Sequence, residues 1–256
     1  MGYLGRRIGL SQDSGDSNPG GADGAVGGGI LDLFAQGYFE RQDKIFNNPG
    51  IKGGLTASGG VISDYTDGPA IYRAHIFTSS GTFDVSAVGT FPAEVEYLVI
   101  AGGGGGGASQ SGGGGAGGVR TNLSGHPLAT NNPSFVVSTS PGSYTVTVGS
   151  GGAGNAATDS GSNGSNSVLA HPSTPITALA GGGGGSWKPS ATASAAGSGG
   201  SGGGGGRVQG SYTQGAGGSG SYSGSPQNPQ PYRQGYDGGD TGTPYVGPFS
   251  GGGGGG

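Results

Sequence analysis

Several residue patterns in this sequence carry catalysis in other proteins, and each must be weighed against the composition around it. Gly199-Gly200-Ser201-Gly202-Gly203 satisfies the G-x-S-x-G spacing of a serine nucleophile elbow, and several stretches satisfy G-x-G-x-x-G. An elbow needs a strand before it and a helix after it, and a dinucleotide or phosphate cradle needs the N-terminus of a following helix. No helical pattern follows these matches and no Gly-Lys-Ser/Thr occurs, so in a chain with 69 glycines among 256 residues both are compositional accidents. His75, His126 and His171 are scattered, and the last two precede prolines. His126 and His171 therefore read as turn residues, and the three make no metal site, since ligands usually arrive with paired spacing. Asp237 and Asp240 flank Gly238-Gly239 and read as a solvated turn, because a calcium loop wants a further carboxylate nearby. Residues 101–256 hold only Asp159, Asp237 and Asp240 as carboxylates, which gives a polysaccharide hydrolase no clustered acid pair. With no cysteine at all, disulfides, thiolate metal sites and cysteine nucleophiles are removed together. The expectation is a chain without enzymatic activity, metal or cofactor.

Recognition chemistry is better represented. Trp187 lies in SWKPS between glycine stretches, and Tyr212, Tyr222, Tyr232, Arg233 and Tyr236 follow in later glycine-, serine- and glutamine-rich segments. Rigid rings with guanidinium and amide neighbours give contact area at low entropy cost, and they stack on sugar rings. These six residues are the candidate receptor contacts. The other reading is that they cover the flanks of a glycine-rich scaffold that has no side chains of its own to exclude water.

The rest of the composition narrows the class of protein. Charged residues make up 9% of the chain against roughly 25% in ordinary domains, and glycine about 27% against roughly 7%. A formal charge of −4, with ten Lys+Arg against fourteen Asp+Glu, supplies no basic footprint for nucleic acid. No run approaches eighteen apolar residues, so membrane insertion is not expected, and the two arginines near the start have no apolar stretch of secretory type behind them.

Composition shifts near residue 101. Residues 1–100 hold 17 of the 24 charged residues and 19 of the 69 glycines. Residues 1–29 read as a flexible or extended leader and 30–69 as an attachment segment. Within the latter, ILDLFAQGYFERQDKIF has partly helical spacing, which predicts one short helix that must pack on something. Leu31, Phe34, Tyr38 and Phe39 are its candidate docking residues. From residue 71 the period becomes two in IYRAHIF, TFDVSAV, VEYLVI and SYTVTVG, with weaker strands in SFVVSTS, NSVLA and ITALA. Pro141-Gly142 suits the centre of a type II turn. These elements predict a mainly β fold, a small antiparallel sandwich of jelly-roll type spanning 70–256 together with the glycine runs.

Several glycine runs begin where a strand ends: VEYLVIAGGGGGG, YTVTVGSGG and ITALAGGGGG. A linker has no reason to attach repeatedly to strand ends, so the phasing predicts that the runs belong to the fold. Polyproline-II geometry suits them, with three residues per turn and no internal hydrogen bonds, so every N–H and C=O points outward and buried runs must pair with one another. A bundle of polyglycine-II helices is the expectation, against a flexible Gly/Ser linker array.

YRAHIFTSSGTFDV, VEYLVIAGGGGGG, YTVTVGSGGAG, GSNSVLA, ITALAGGGGG and the final GGGGGG, taken in that order, resemble the glycine-rich domain of bacteriophage tail-fibre and virion proteins, cyanophages especially, over about residues 70–256. Related architecture occurs in the glycine-rich domain of receptors of the anaplastic-lymphoma-kinase type and in polyglycine sandwich tip adhesins of tailed phages, whose runs are more numerous, longer and more regular. The N-terminal part, from MGYLGRRIGLSQDSGD through GGGILDLFAQGYFERQDK, resembles the leader of cyanophage structural proteins, the virion-attached end. The resemblance implies a non-enzymatic virion structural and adhesive protein, a tail-fibre or fibre-like component made in the host cytoplasm. Its partners would be other virion proteins at the N-terminal segment and a host surface glycan or protein at the aromatic loops. A homotrimer suits a fibre, although no sustained heptads support one. The alternatives are a capsid-bound fibre or decoration protein and a component of an extracellular filament.

Overall fold

A computed structural model describes residues 54–67, 70–90, 92–109, 111–129, 133–156, 159–187, 195–207, 215–221 and 233–241. The expected helix in 30–46 and the docking residues Leu31, Phe34, Tyr38 and Phe39 lie outside the described residues. The described chain is mainly β, and its only helical element is one 3-10 turn at Pro127–Ala129.

In chain order the strands are β1 (Thr56–Ser58), β2 (Val61–Asp67), β3 (Ala70–Ile76), β4 (Gly81–Ala87), β5 (Glu94–Val95), β6 (Leu98–Ile100), β7 (Val119–Thr121), β8 (Phe135–Val136), β9 (Ser143–Thr147), β10 (Ser167–Leu169) and β11 (Ile176–Ala178). All pairings are antiparallel. Five strands form one sheet in the order β1-β4-β9-β10-β11, and β2-β3, β5-β8 and β6-β7 form separate pairs. Among the described residues strands begin at Thr56, ahead of the alternation legible from residue 71. VEYLVI divides into β5 and β6, because the Tyr97 N–H leaves the ladder to donate to Asn122 Oδ1 at 2.8 Å. Gly142 has a left-handed φ of +78° and the Ser140–Pro141 peptide is cis, with the turn at residues 139–141 rather than centred on Pro141-Gly142.

Period-two alternation builds the core. Phe83 and Val85 of β4, Tyr144 of β9 and Ile176 of β11 turn inward from the large sheet to meet Tyr97, Phe135 and Val137. Phe135 packs edge-on against Tyr144 at 5.5 Å and against Tyr97 at 6.3 Å between ring centroids, geometries that aromatic quadrupoles favour. The buried phenol groups keep polar partners: Tyr97 donates to the Pro133 carbonyl at 3.0 Å, and Tyr144 accepts from Ser138 N–H at 2.7 Å. His171 lies on the Tyr144 ring and bonds the Val136 carbonyl through Nε2, while its Nδ1 accepts from the N–H groups of Ser173 and Thr174. It is a turn residue, as its proline neighbour suggested, and also a core lid.

The glycine runs leave the sheet where the strands end. The 101–108 run follows β6, 111–118 leads into β7, 149–155 follows β9, 159–166 leads into β10, and 179–187 follows β11. They are joined by backbone hydrogen bonds that repeat every third residue. Ala101, Gly104 and Gly107 donate to the carbonyls of Gly118, Gly115 and Gly112, while Gly102, Gly105 and Ala108 donate to those of Ser165, Ser162 and Asp159, all at 2.8–3.3 Å. On the other sides of the same run, Gly103 and Gly106 accept from Gly152 and Asn155, and Gly102 and Gly105 accept from Gly181 and Gly184. The same registers fix direction. Residues 111–118 and 159–166 run antiparallel to 101–108, whereas 149–155 and 179–187 run parallel to it. Chain reversals continue the alternation through 195–200, 201–207, 215–221 and 233–241.

The 179–187 run is the most surrounded, bonded to 101–108, 111–118, 159–166, 195–200 and 201–207, and Gly181 to Ser186 are all buried. Its packing surface is main chain, so the spacing tolerates no Cβ. A Cβ at Gly104 would fall inside the Gly182 carbonyl oxygen and one at Gly183 inside the Gly161 carbonyl, whereas at Gly106 it would meet nothing within 4 Å. The more peripheral 159–166 run has glycine only at 161 and 164, the two positions where a Cβ would strike the Gly105 and Gly102 carbonyls, and Asp159, serines and asparagines occupy the remaining positions. Gly104→Val should therefore cost at least about 2 kcal/mol in denaturant unfolding of the full chain, and Gly106→Ala should stay within about 0.5 kcal/mol. Equal effects of the two substitutions would show that the runs are not held at backbone contact.

Candidate functional site

The registers give the array of runs two ends. At the sheet end lie Ala101, Gly118 and Leu179, linked in series by Ala101 N–H to Gly118 O and Gly118 N–H to Leu179 O. At the far end Trp187 N–H reaches the Ala108 carbonyl at 3.4 Å. The 179–187 run between them is eight steps of extended chain, about 25 Å at roughly 3.1 Å per residue. These two ends position the candidate contact residues separately.

Arg233 and Tyr236 lie together at the sheet end, at the start of the 233–241 run. Both are exposed, and the guanidinium carbon sits 4.5 Å from the ring centroid. Such a cation–π pair at an exposed position is worth about 0.5–1 kcal/mol and holds both groups in a fixed relation. Trp187 is half-buried at the far end, with Ser186 Oγ donating to its carbonyl at 3.3 Å. Tyr212, Tyr222 and Tyr232 lie outside the described residues. The structure thus pairs Arg233 with Tyr236 and separates both from Trp187.

Gln234, between the two exposed residues, faces inward and is 1% exposed. Its Oε1 accepts from Leu179 N–H at 2.8 Å, its Nε2 donates to the Thr177 carbonyl at 3.4 Å, and its own carbonyl accepts from Val119 N–H at 3.0 Å. Buried Arg120 of β7 donates to the same Thr177 carbonyl at 3.3 Å. Gln234 therefore fastens the last described run to β7 through its main-chain carbonyl and to β11 and Leu179 through its amide, and it fixes the platform that shows Arg233 and Tyr236 outward.

Sequence reasoning missed a second set of residues. Asn166 Oδ1 accepts from Ala180 N–H and Asn163 Oδ1 from Gly183 N–H, both at 2.8 Å, in place of a main-chain carbonyl. Asp237 and Asp240 do the same for Gly220 and Gly217, each at 2.6 Å. The two aspartates, read as a solvated turn, are instead the anionic margin of the array, where charge-assisted bonds are the stronger kind. The signal that could have found both pairs is their own spacing, N-x-x-N and D-x-x-D, which matches the three-residue repeat. Among the described residues no group of three His, Cys, Asp or Glu is placed to hold a metal.

These features define a class of protein: a β scaffold whose strand ends continue into a hydrogen-bonded array of glycine runs. The Glycine-rich domain family matches residues 78–256, and the chain belongs to that family. No match was found among curated proteins or among solved structures.

Gln234→Ala should lower thermal stability by about 1–3 kcal/mol, because it strands the Leu179 N–H without a partner. Tyr236→Ala should cost no more than about 1 kcal/mol, since it removes only an exposed ring and its cation–π pair. Melting curves of the two variants against the parent check both values.

Proposed function

We propose that this chain is a non-enzymatic virion structural and adhesive protein, a phage tail-fibre or fibre-like component that displays a rigid glycine-rich domain toward a host surface. The observation that carries this reading is the three-residue hydrogen-bond repeat between runs of alternating direction. It is the pattern polyglycine-II helices require, and we read the runs as such a bundle, seated on a small sandwich of jelly-roll type.

Such a bundle suits display. Its interior is chiefly backbone, with Ser186, Ser201, Ser221, Gln234 and Thr241 the buried polar side chains of its described runs, and successive runs alternate in direction on a stiff base. Stiffness matters because a contact residue held in advance does not have to be ordered on binding. Arg233 and Tyr236 form one such platform, and Trp187 marks the other end. The N-terminal third, with Leu31, Phe34, Tyr38 and Phe39, is assigned to attachment on other virion proteins, and the aromatic segments to a host glycan or surface protein. The site of action in this reading is the virion exterior.

Labelling purified particles of the encoding virus with antibodies against residues 78–256 tests the assignment. Label at the tail extremities is expected, and it should vanish from particles whose copy lacks residues 1–49. Label confined to the capsid shell, or particles without label, would overturn the tail-fibre assignment.

A further inference from the structure

The 233–241 run carries its exposed side chains in two neighbouring rows. With three residues per turn, Arg233, Tyr236 and Gly239 share one row, and Asp237 and Asp240 share the next, a third of a turn away. All five residues are exposed, whereas Gly238 between the aspartates turns inward, where a Cβ would fall inside the Gly203 carbonyl. Arg233 lies over one face of the Tyr236 ring, and that side chain still leaves Tyr236 48% exposed. One repeat further along the same row stands Gly239, which puts no side chain over the ring.

The carboxylates beside this ring are held in place. Each spends Oδ1 on a glycine N–H of the 215–221 run, Asp237 on Gly220 and Asp240 on Gly217, both at 2.6 Å. No hydrogen bond among the described residues engages the second oxygen of either. One threefold repeat separates the two, about 9 Å at roughly 3.1 Å per residue. The run therefore offers an aromatic face and two fixed anionic acceptors along one outward edge.

We infer that Tyr236, Asp237 and Asp240 seat an uncharged oligosaccharide, with one pyranose ring stacked on Tyr236 and its hydroxyls donating to Asp237, and the next sugar reaching Asp240. The inference rests on the display role proposed above and names the chemistry of what is contacted. Three features select this ligand class. Carboxylates accept hydroxyl protons in short, charge-assisted bonds, and the electron-rich ring face takes the C–H side of a sugar. An acidic sugar would meet two carboxylates within one repeat, while the nearby guanidinium is stacked over the ring. A protein partner needs on the order of 800 Å² on each side with apolar anchors, and the described parts of 215–221 and 233–241 offer only the Tyr236 ring and the small Ala216. A shared metal ion is no rival, because carboxylates a full repeat apart do not converge on one cation and no metal-holding group occurs among the described residues.

A glycan microarray carrying neutral, sialylated and sulfated oligosaccharides tests the inference, with the full chain displayed in many copies on fluorescent beads. Binding to neutral glycans is expected, and it should persist as salt is raised. Tyr236→Ala, Asp237→Asn and Asp240→Asn should each weaken it about tenfold, the loss of one stacked ring or one charged acceptor, and Tyr236→Phe should stay within about twofold. Both asparagine variants keep a carbonyl for the Gly220 or Gly217 N–H, so melting curves matching the parent show that the array is intact. Absence of binding to any neutral glycan would overturn the inference, as would a preference for the sialylated or sulfated ones. So would neutral binding that survives both Tyr236→Ala and Asp237→Asn, which would place the contact elsewhere on the chain. None of these results bears on where the chain sits on the particle, which the labelling experiment decides separately.

Discussion

A carbonyl oxygen stands where a side chain would begin. At Gly104, Gly105, Gly164, Gly183 and Gly203 an added Cβ would fall inside a neighbouring main-chain carbonyl, and the rest of the array follows from that proximity. Backbones this close can satisfy one another's N–H and C=O groups directly, which buried main chain otherwise achieves in helices and sheets. The cost is conformational: glycine loses more freedom on folding than any other residue. It is offset here by dense hydrogen bonding, and by strands that deliver the five runs from 101–108 to 179–187 to their neighbours already in register. The aromatic core of Phe83, Tyr97, Phe135 and Tyr144 therefore aligns the array as well as stabilising the sheet.

That division of labour explains where side chains reappear. Outer runs need glycine only on the side that touches another run, so 159–166 keeps glycine at 161 and 164 and spends other positions on Asn163 and Asn166, whose amides take the part of missing carbonyls. Asp237 and Asp240 end the pattern on the other flank with carboxylates. Gln234 does the converse job, binding an outer run to the strands beneath it. Polar side chains in this domain act chiefly as pieces of backbone.

Much of this was legible in the sequence. β3, β4, β9, β10 and β11 coincide with segments read from alternation, and the attachment of runs to strand ends is visible in YTVTVGSGG and ITALAGGGGG. Reading failed where alternation is not coupled to burial. β2 mixes Ser63, Asp64 and Thr66 with apolar residues because both its faces are open, and in β3 Tyr72 and Ile76 share a face as expected but turn outward rather than into a core. β5 and β6 read as one strand because the bend at Tyr97 is set by Asn122, far along the chain. The candidate contact residues were legible as residue types only. Which of them meet depends on the up-and-down order of the runs, and no local pattern encodes that order.

Burying main chain in place of side chains also changes how the molecule responds to temperature. Unfolding an ordinary domain raises the heat capacity because apolar surface meets water, whereas exposing polar peptide surface lowers it. In the 101–108, 111–118, 179–187 and 201–207 runs the surface released is chiefly peptide, and most of the hydrocarbon comes from the sheet beneath. The two contributions oppose each other, so the heat-capacity increment per residue falls below that of a conventional core and the stability curve flattens. A scaffold of this kind holds its shape with little change from cold water to warm.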